Sequence, residues 1–179
     1  PLSKRQQALI DDVLPTLGIP ATAAGQLQPA SLFDGKRDVW LEIGFGGGEH
    51  LAGQATRHPD VGFIGAEPFV DGVAKLLTAL DEQALSNVKV RRGDARDLVA
   101  QFADKSIDRG FILFPDPWPK TRHRKRRLVQ SDFIVELARI LKPGARLRFA
   151  TDWADYANRA LADVTRSGLF DWTAARAND

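Results

Sequence analysis

The feature that most restricts this chain begins at Asp38. A short apolar run, Val39 to Ile43, leads directly into Gly44-Phe45-Gly46-Gly47-Gly48, and an amphipathic stretch, Glu49 to Arg57, follows. Five apolar residues closed by glycine read as a buried strand, and the next segment has the spacing of a helix. The glycines let the backbone turn sharply and leave room for a ligand beside it. The same unit then repeats. Val61 to Ala66 is a second strand, and Val70, Val73, Leu77 and Leu80 mark the helix after it. Val88 to Arg92 and Arg109 to Phe114 are the third and fourth strands. Phe133, Leu137 and Leu141 share one face of a helix that Ser131-Asp132 can cap and Lys142-Pro143-Gly144 stops. Ala145 to Ala150 is a fifth strand, with a helix over Tyr156 to Ser167. Strands alternating with helices predict an α/β fold: a doubly wound, mostly parallel sheet with helices on both faces. Ligands in such sheets sit beyond the carboxyl ends of the strands.

Upstream, Leu9, Ile10, Val13 and Leu14 predict a short helix over Ser3 to Leu14. Residues 15–38, with Pro15, Gly18, Pro20, Gly25, Pro29 and Gly35, read as an irregular arm. The expected organisation is an arm over 1–37 and one domain over 38–179. The length of 179 residues suits a single core. No run of about 18 apolar residues offers a membrane span, and no secretory leader is visible, so a cytoplasmic protein is expected. Cysteine is absent, which excludes disulfides and thiolate metal sites. His50, His58 and His123 lack ligand spacing, so no metal is expected. A chain without Met that starts at Pro1 is expected to be part of a longer one.

The net charge of +2 hides an asymmetry. Residues 120–127, Lys-Thr-Arg-His-Arg-Lys-Arg-Arg, hold six of the 25 Lys and Arg, and without them the chain has fewer basic residues than its 23 Asp and Glu. One basic patch on an acidic body is the pattern of a polyanion docking site. A solvated face or a localisation tract is the plainer reading of such a run.

The glycine loop can be read two ways. A nicotinamide-binding fingerprint needs glycine at its first, third and sixth places. Counted from Gly44, the sixth place is Glu49, so the fingerprint fails. A pyrophosphate at that helix start would also meet a carboxylate. Glu42 and Glu49 instead flank the loop with negative charge, which suits a cationic ligand without phosphate. Glu67 ends the second strand, about 20 residues beyond the glycines, where a carboxylate can accept ribose hydroxyls. Asp94 follows the third strand. Taken singly, each acid is a solvated strand end; three at successive strand ends suggest one site.

After the fourth strand comes Phe114-Pro115-Asp116-Pro117-Trp118-Pro119-Lys120. Three prolines in five residues fix this loop and remove three donors, holding Asp116 and Trp118 in set positions. A rigid turn with Trp118 as a core plug is the plainer alternative.

Glu42-Ile-Gly-x-Gly-x-Gly resembles the first motif of the class I S-adenosylmethionine-dependent methyltransferases. The block Phe114 to Arg127 resembles the signature of the tRNA (guanine-N7)-methyltransferases, and the Gly93-Asp94-Ala95 and Ala150-Thr-Asp-Trp153 blocks match that family in the same order. The resemblance covers about residues 38–168. It implies a Rossmann-like class I fold and transfer of methyl from S-adenosylmethionine to N7 of a guanine in the tRNA variable loop. It implies that Glu42, Gly44, Gly46, Glu67, Asp94, Ala95 and Asp116 line the cofactor site, with Asp94 facing the adenine amino group. Asp116 would be the catalytic residue. Lys120 and Asp152 would contact the substrate, and Arg122, His123, Arg124, Lys125, Arg126 and Arg127 the RNA. The family's Thr-x-Phe-Glu-like motif and last strand are not found before Asp179, so the sheet is expected to lack that strand.

Guanine N7 carries a free lone pair, so the implied reaction needs alignment rather than a strong base. A monomer or homodimer without an obligate protein partner is expected. Two rivals remain at this point. One is a methyltransferase of exocyclic base amines, whose loop has a related Asp/Asn-Pro-Pro-aromatic order that Asp116-Pro117-Trp118 does not follow. The other is a non-catalytic RNA-binding subunit with the same fold, against which the intact acids speak.

Overall fold

The computed structural model describes residues 1–35 and 38–174. Five strands, β1 (Val39–Ile43), β2 (Gly62–Glu67), β3 (Val88–Arg92), β4 (Ile107–Leu113) and β5 (Leu141–Ala150), form one sheet in the order β3-β2-β1-β4-β5. Every pairing is parallel. The strand alternation therefore predicts the architecture correctly. Because all strands point one way, all five carboxyl ends open onto one rim. The order reverses between β1 and β4, which makes that junction the switch point of the rim.

Helices α3 (Glu49–Arg57) and α4 (Val70–Glu82) cover one face, and α5 (Ala95–Gln101), α6 (Ser131–Ile140) and α7 (Ala154–Ser167) the other. The period-two alternation of strands decides which residue meets which layer. Val39, Leu41 and Ile43 of β1 pack into the α5–α7 layer, with Ile64 and Ala66 of β2. Phe63, Val88 and Val90 point the opposite way, onto Leu51, Leu76 and Leu77 of α3 and α4. Glu42 thus falls on the α3 side. Tyr156 is the largest fully buried side chain, and its hydroxyl accepts a hydrogen bond from the Val129 amide at 2.9 Å.

The structure departs from the expected elements in four places. The N-terminal helix does not end at Leu14. α1 (Lys4–Ala8), opened by a Ser3–Gln6 capping box, runs into a π-helical turn over Leu9–Val13 and on into α2 (Leu14–Leu17). Pro15 cannot donate to the carbonyl four residues back and would clash with it. The widened turn just before it, closed by the Leu14 amide on Leu9 O, lets the helix continue. The arm is also anchored: Gly18 bridges to Val90 and Leu27 to Phe102, and Ile19, Leu27 and Phe33 enter the core. α5 is missing from the periodicity because seven residues give barely two turns, with only Ala95, Leu98 and Val99 buried. Finally, α6 starts at Ser131, so Gln130 holds the cap position, and β5 begins at once at Leu141. The register slips from Ile107↔Leu141 to Arg109↔Arg146, and the intervening Lys142–Ala145 bulge out. Among the described residues β5 is an edge strand.

Candidate active site at the carboxyl rim

The parallel sheet brings the scattered acids together. Glu42 is the penultimate residue of β1, Glu67 ends β2, Asp94 follows β3, Asp116 follows β4, and Asp152 follows β5. The strand order places the first three on one half of the rim. The switch point separates them from Asp116 and the basic run beyond β4. The basic run therefore lies on the β4–β5 side of the switch point, with Asp116 and Asp152.

The glycine loop closes against β2. The Gly44 amide donates to Ala66 O at 2.8 Å, and the Gly46 amide to Glu67 Oε2 at 2.9 Å. The other Glu67 oxygen accepts from the Phe69 amide at 3.0 Å. Glu67, only 4% exposed, thus ties the loop to the strand and keeps one lone pair per oxygen free. Gly44 and Gly46 have φ of +69° and +56°, in the left-handed region that glycine adopts without strain. A Cβ built at either meets nothing within 4 Å. Open space beside left-handed backbone, next to carboxylates, fits a cationic ligand lying along this loop.

Glu42 is buried, and its Oε2 lies 2.7 Å from His50 Nδ1. His50 Nε2 lies 3.1 Å from the Gln54 amide nitrogen one turn on. Burial pushes the Glu42 carboxyl above its ordinary range, and the His50 hydrogen bond opposes that rise. Histidine spacing gave His50 no role; the structure makes it the partner of Glu42. A sequence signal for this existed in retrospect, since both residues flank one glycine turn. Asp94 is half exposed and caps α5, accepting from the Arg96 amide at 2.8 Å and from Arg96 Nη1 at 3.1 Å. Ala95 is the first, buried residue of that helix.

The proline loop carries two non-glycine residues in the left-handed region, Phe114 at φ +51° and Trp118 at φ +42°. Such residues cost about 1 kcal/mol or more each and persist where neighbours over-determine them. Here the prolines and β4 do so. The Phe114 amide reaches Ala150 O at 2.8 Å, which places this loop next to the one carrying Asp152. Asp116 is exposed and accepts no hydrogen bond from the described residues, so its carboxylate is available to a ligand. Trp118 is half-buried but is no core plug: Arg126 lies 5.0 Å over its ring and His123 meets it edge-on at 5.9 Å.

Thr121–Arg126 form a 3-10 turn that fans out Arg122, Arg124, Lys125 and Arg126, all exposed, with His123 half-buried and Lys120 exposed just ahead. Arg124 is partly committed to Asp155, at 3.1 Å. Arg127 is a correction to the expected RNA contacts. It is 2% exposed, its Nε donates to Pro117 O at 2.7 Å and its Nη2 to Asp155 Oδ2 at 2.6 Å. Its guanidinium also lies 4.8 Å from the Tyr156 ring. The last arginine of the run points inward because the 3-10 turn ends at Arg126. It braces the proline loop against α7 instead of facing a polyanion. Nothing in the sequence spacing marked Asp155 as its partner.

No group of three or more metal-binding side chains occurs among the described residues, and no helix there is long and apolar enough to cross a membrane. Residues 36–178 match the model of a protein family described as "Putative methyltransferase". A tRNA (guanine-N(7)-)-methyltransferase of Caulobacter sp. (strain K31) is 55% identical over 177 residues, covering 99% of this chain and 77% of the relative. Its counterpart in Hyphomonas neptunium is 52% identical, covering 100% and 81%. Among solved structures, a precorrin-6y C5,15-methyltransferase from Geobacter metallireducens superposes with a TM-score of 0.60 at 17% identity, over 74% of this chain and 63% of its own, a likeness of fold alone.

Proposed function

The chain belongs to the tRNA (guanine-N(7)-)-methyltransferase family, and we propose that it transfers methyl from S-adenosylmethionine to N7 of a guanine in the variable loop of tRNA. The observation that carries the reading is Asp116 at the switch point, exposed and without a hydrogen-bond partner among the described residues, in the loop after β4, the strand next to β1 and its acid-lined glycine loop, and followed by the basic run.

S-adenosylmethionine supplies an electrophilic methyl group on a sulfonium. The chain's own residues bind and align. Gly44 and Gly46 let the ligand lie against backbone, and Glu42 supplies negative charge there. Glu67 accepts ribose hydroxyls through the lone pairs its two amide donors leave unused, and Asp94, beside Ala95, accepts from the adenine amino group. Asp116 orients the guanine through its N–H donors, or stabilises the positive charge the ring gains as N7 is methylated. No proton leaves N7, so no general base is required and alignment provides most of the acceleration. Lys120 and Asp152 contact the nucleotide. Arg122, His123, Arg124, Lys125 and Arg126 meet the phosphates. N7 lies on the major-groove edge, which A-form RNA hides, so a loop guanine is the accessible target. The enzyme works without a metal, in the cytoplasm, as a monomer or homodimer.

The test is methyl transfer from labelled S-adenosylmethionine to unmodified tRNA, with nucleoside analysis. Label in N7-methylguanosine that disappears when the variable-loop guanine is replaced supports the reading. Label in a methylated adenine or cytosine refutes it.

A further inference from the structure

The positive surface does not stop at the basic run. Arg96, two residues after Asp94, donates from Nη1 to Asp94 Oδ2 at 3.1 Å and from Nη2 to the main-chain O of Arg127 at 3.4 Å. This carries one cation of α5 across to the end of the run. Arg96, Lys125, Arg126, Leu128, Gln130 and Asp132 line a groove of about 400 Å³, room for a phosphodiester with its sugars. Three cations face one carboxylate there. Lys125 and Arg126 make no ion pair among the described residues, while Arg124 and Arg127 share Asp155. The walls are fixed: the Gln130 side-chain amide donates to Lys125 O at 2.7 Å and to Arg127 O at 2.6 Å, clamping the end of the run to the start of α6. A guanidinium offers five N–H donors. That of Arg96 makes two hydrogen bonds among the described residues and lies 6.0 Å over the Phe133 ring, so N–H donors remain for a phosphate oxygen.

We infer that this groove seats one backbone phosphate of the RNA substrate and that Arg96, outside the basic run, is one of its ligands. The groove continues the exposed face of Lys125 and Arg126, which have no ion-pair partner among the described residues, while Arg96 pairs with Asp94 from outside the groove. The inference rests on the reading of the protein as a tRNA-modifying enzyme. It also brings the phosphate next to Asp94, because one guanidinium would serve both anions.

The experiment measures tRNA affinity across salt concentrations for the wild type, Arg96→Gln and Arg96→Lys. S-adenosylmethionine titration and thermal unfolding of each are run alongside. Losing one phosphate contact lowers the salt slope by about 0.7–0.9 and weakens binding about fivefold near 0.15 M salt. Arg96→Gln is expected to show both, with cofactor affinity and unfolding temperature retained, and Arg96→Lys to keep the wild-type slope. An unchanged slope in Arg96→Gln overturns the assignment. So does parallel loss of cofactor and tRNA affinity, the signature of a residue acting only through Asp94. Wild-type protein that neither binds nor methylates tRNA would instead sink the functional reading itself.

Discussion

Replacing Arg127 by Gln should separate bracing from binding within the basic run. The arginine makes a charge-assisted hydrogen bond to Pro117 O at 2.7 Å, an ion pair with Asp155 at 2.6 Å and a cation–π contact with Tyr156 at 4.8 Å. The hydrogen bond contributes about 1.5–3 kcal/mol, because its loss orphans a carbonyl in a packed loop. The desolvated cation–π contact adds about 1–2 kcal/mol. Asp155 is half exposed, so its pair is screened and adds nothing to this total. Against these stands a buried guanidinium whose Nη1 has no partner. The net cost of Arg127→Gln is about 2–3 kcal/mol, which lowers the unfolding temperature of a chain this size by about 5–10 °C. Turnover should fall, because the carbonyl it holds belongs to the residue after Asp116. The salt slope of tRNA binding should stay at the wild-type value. Arg126→Gln should do the reverse, lowering the slope by about 0.7–0.9 with little change in unfolding temperature. The assays are thermal unfolding by circular dichroism and tRNA binding by fluorescence anisotropy at several salt concentrations. An Arg127→Gln protein with wild-type unfolding temperature and a reduced slope would refute the argument and return Arg127 to the RNA surface.

Three further outcomes are expected. Burial raises the Glu42 carboxyl above its ordinary value of 4.5, so ionising it in the folded protein costs stability. That cost is absent below pH 4.5, grows as pH rises from there through the raised folded value, and is complete above it. Glu42→Gln should therefore unfold at an equal or higher temperature than wild type at neutral pH, with the difference vanishing below about pH 4.5, while S-adenosylmethionine binding weakens; a variant less stable at pH 7 contradicts the sign. Asp116→Asn should reduce kcat by at least about tenfold, with the Kd for tRNA unchanged within about twofold; single-turnover and binding measurements decide it, and unchanged kcat removes Asp116 from the chemistry. Asn87, buried, donates through its side-chain amide to Ala55 O, His58 O and Val61 O. Asn87→Ala should cost about 2–3 kcal/mol by removing this buried donor from Ala55 O and Val61 O, while His58 O keeps the Val61 amide at 3.1 Å, read as a fall in unfolding temperature with the RNA salt slope unaltered.

Most of the architecture is legible in the residue order, because strand and helix periodicities are local properties. Val39 to Ile43 and Val70 to Leu80 carry unmistakable spacings. α5 escapes notice because its burial is decided by α6 and the sheet, not by its own seven residues. Continuation of the first helix through Pro15 depends on a π turn that no propensity announces.

The sequence by itself determined the parallel α/β plan, the acids at successive strand ends and the rigid Asp116 loop. These follow from side-chain period, glycine and proline, whose effects act within a few residues. Only the tertiary structure decided which charges face solvent. It turned Arg127 inward onto Pro117 and Asp155, engaged Glu42 with His50 and both Glu67 oxygens with backbone amides, and carried Arg96 beside Lys125 and Arg126. The pairing of Arg127 with Asp155 and the approach of Arg96 to Lys125 and Arg126 join residues distant in the chain, and a charged side chain's role depends on the partner and the desolvation that packing imposes. A sequence read along its length does not contain that information in any one segment.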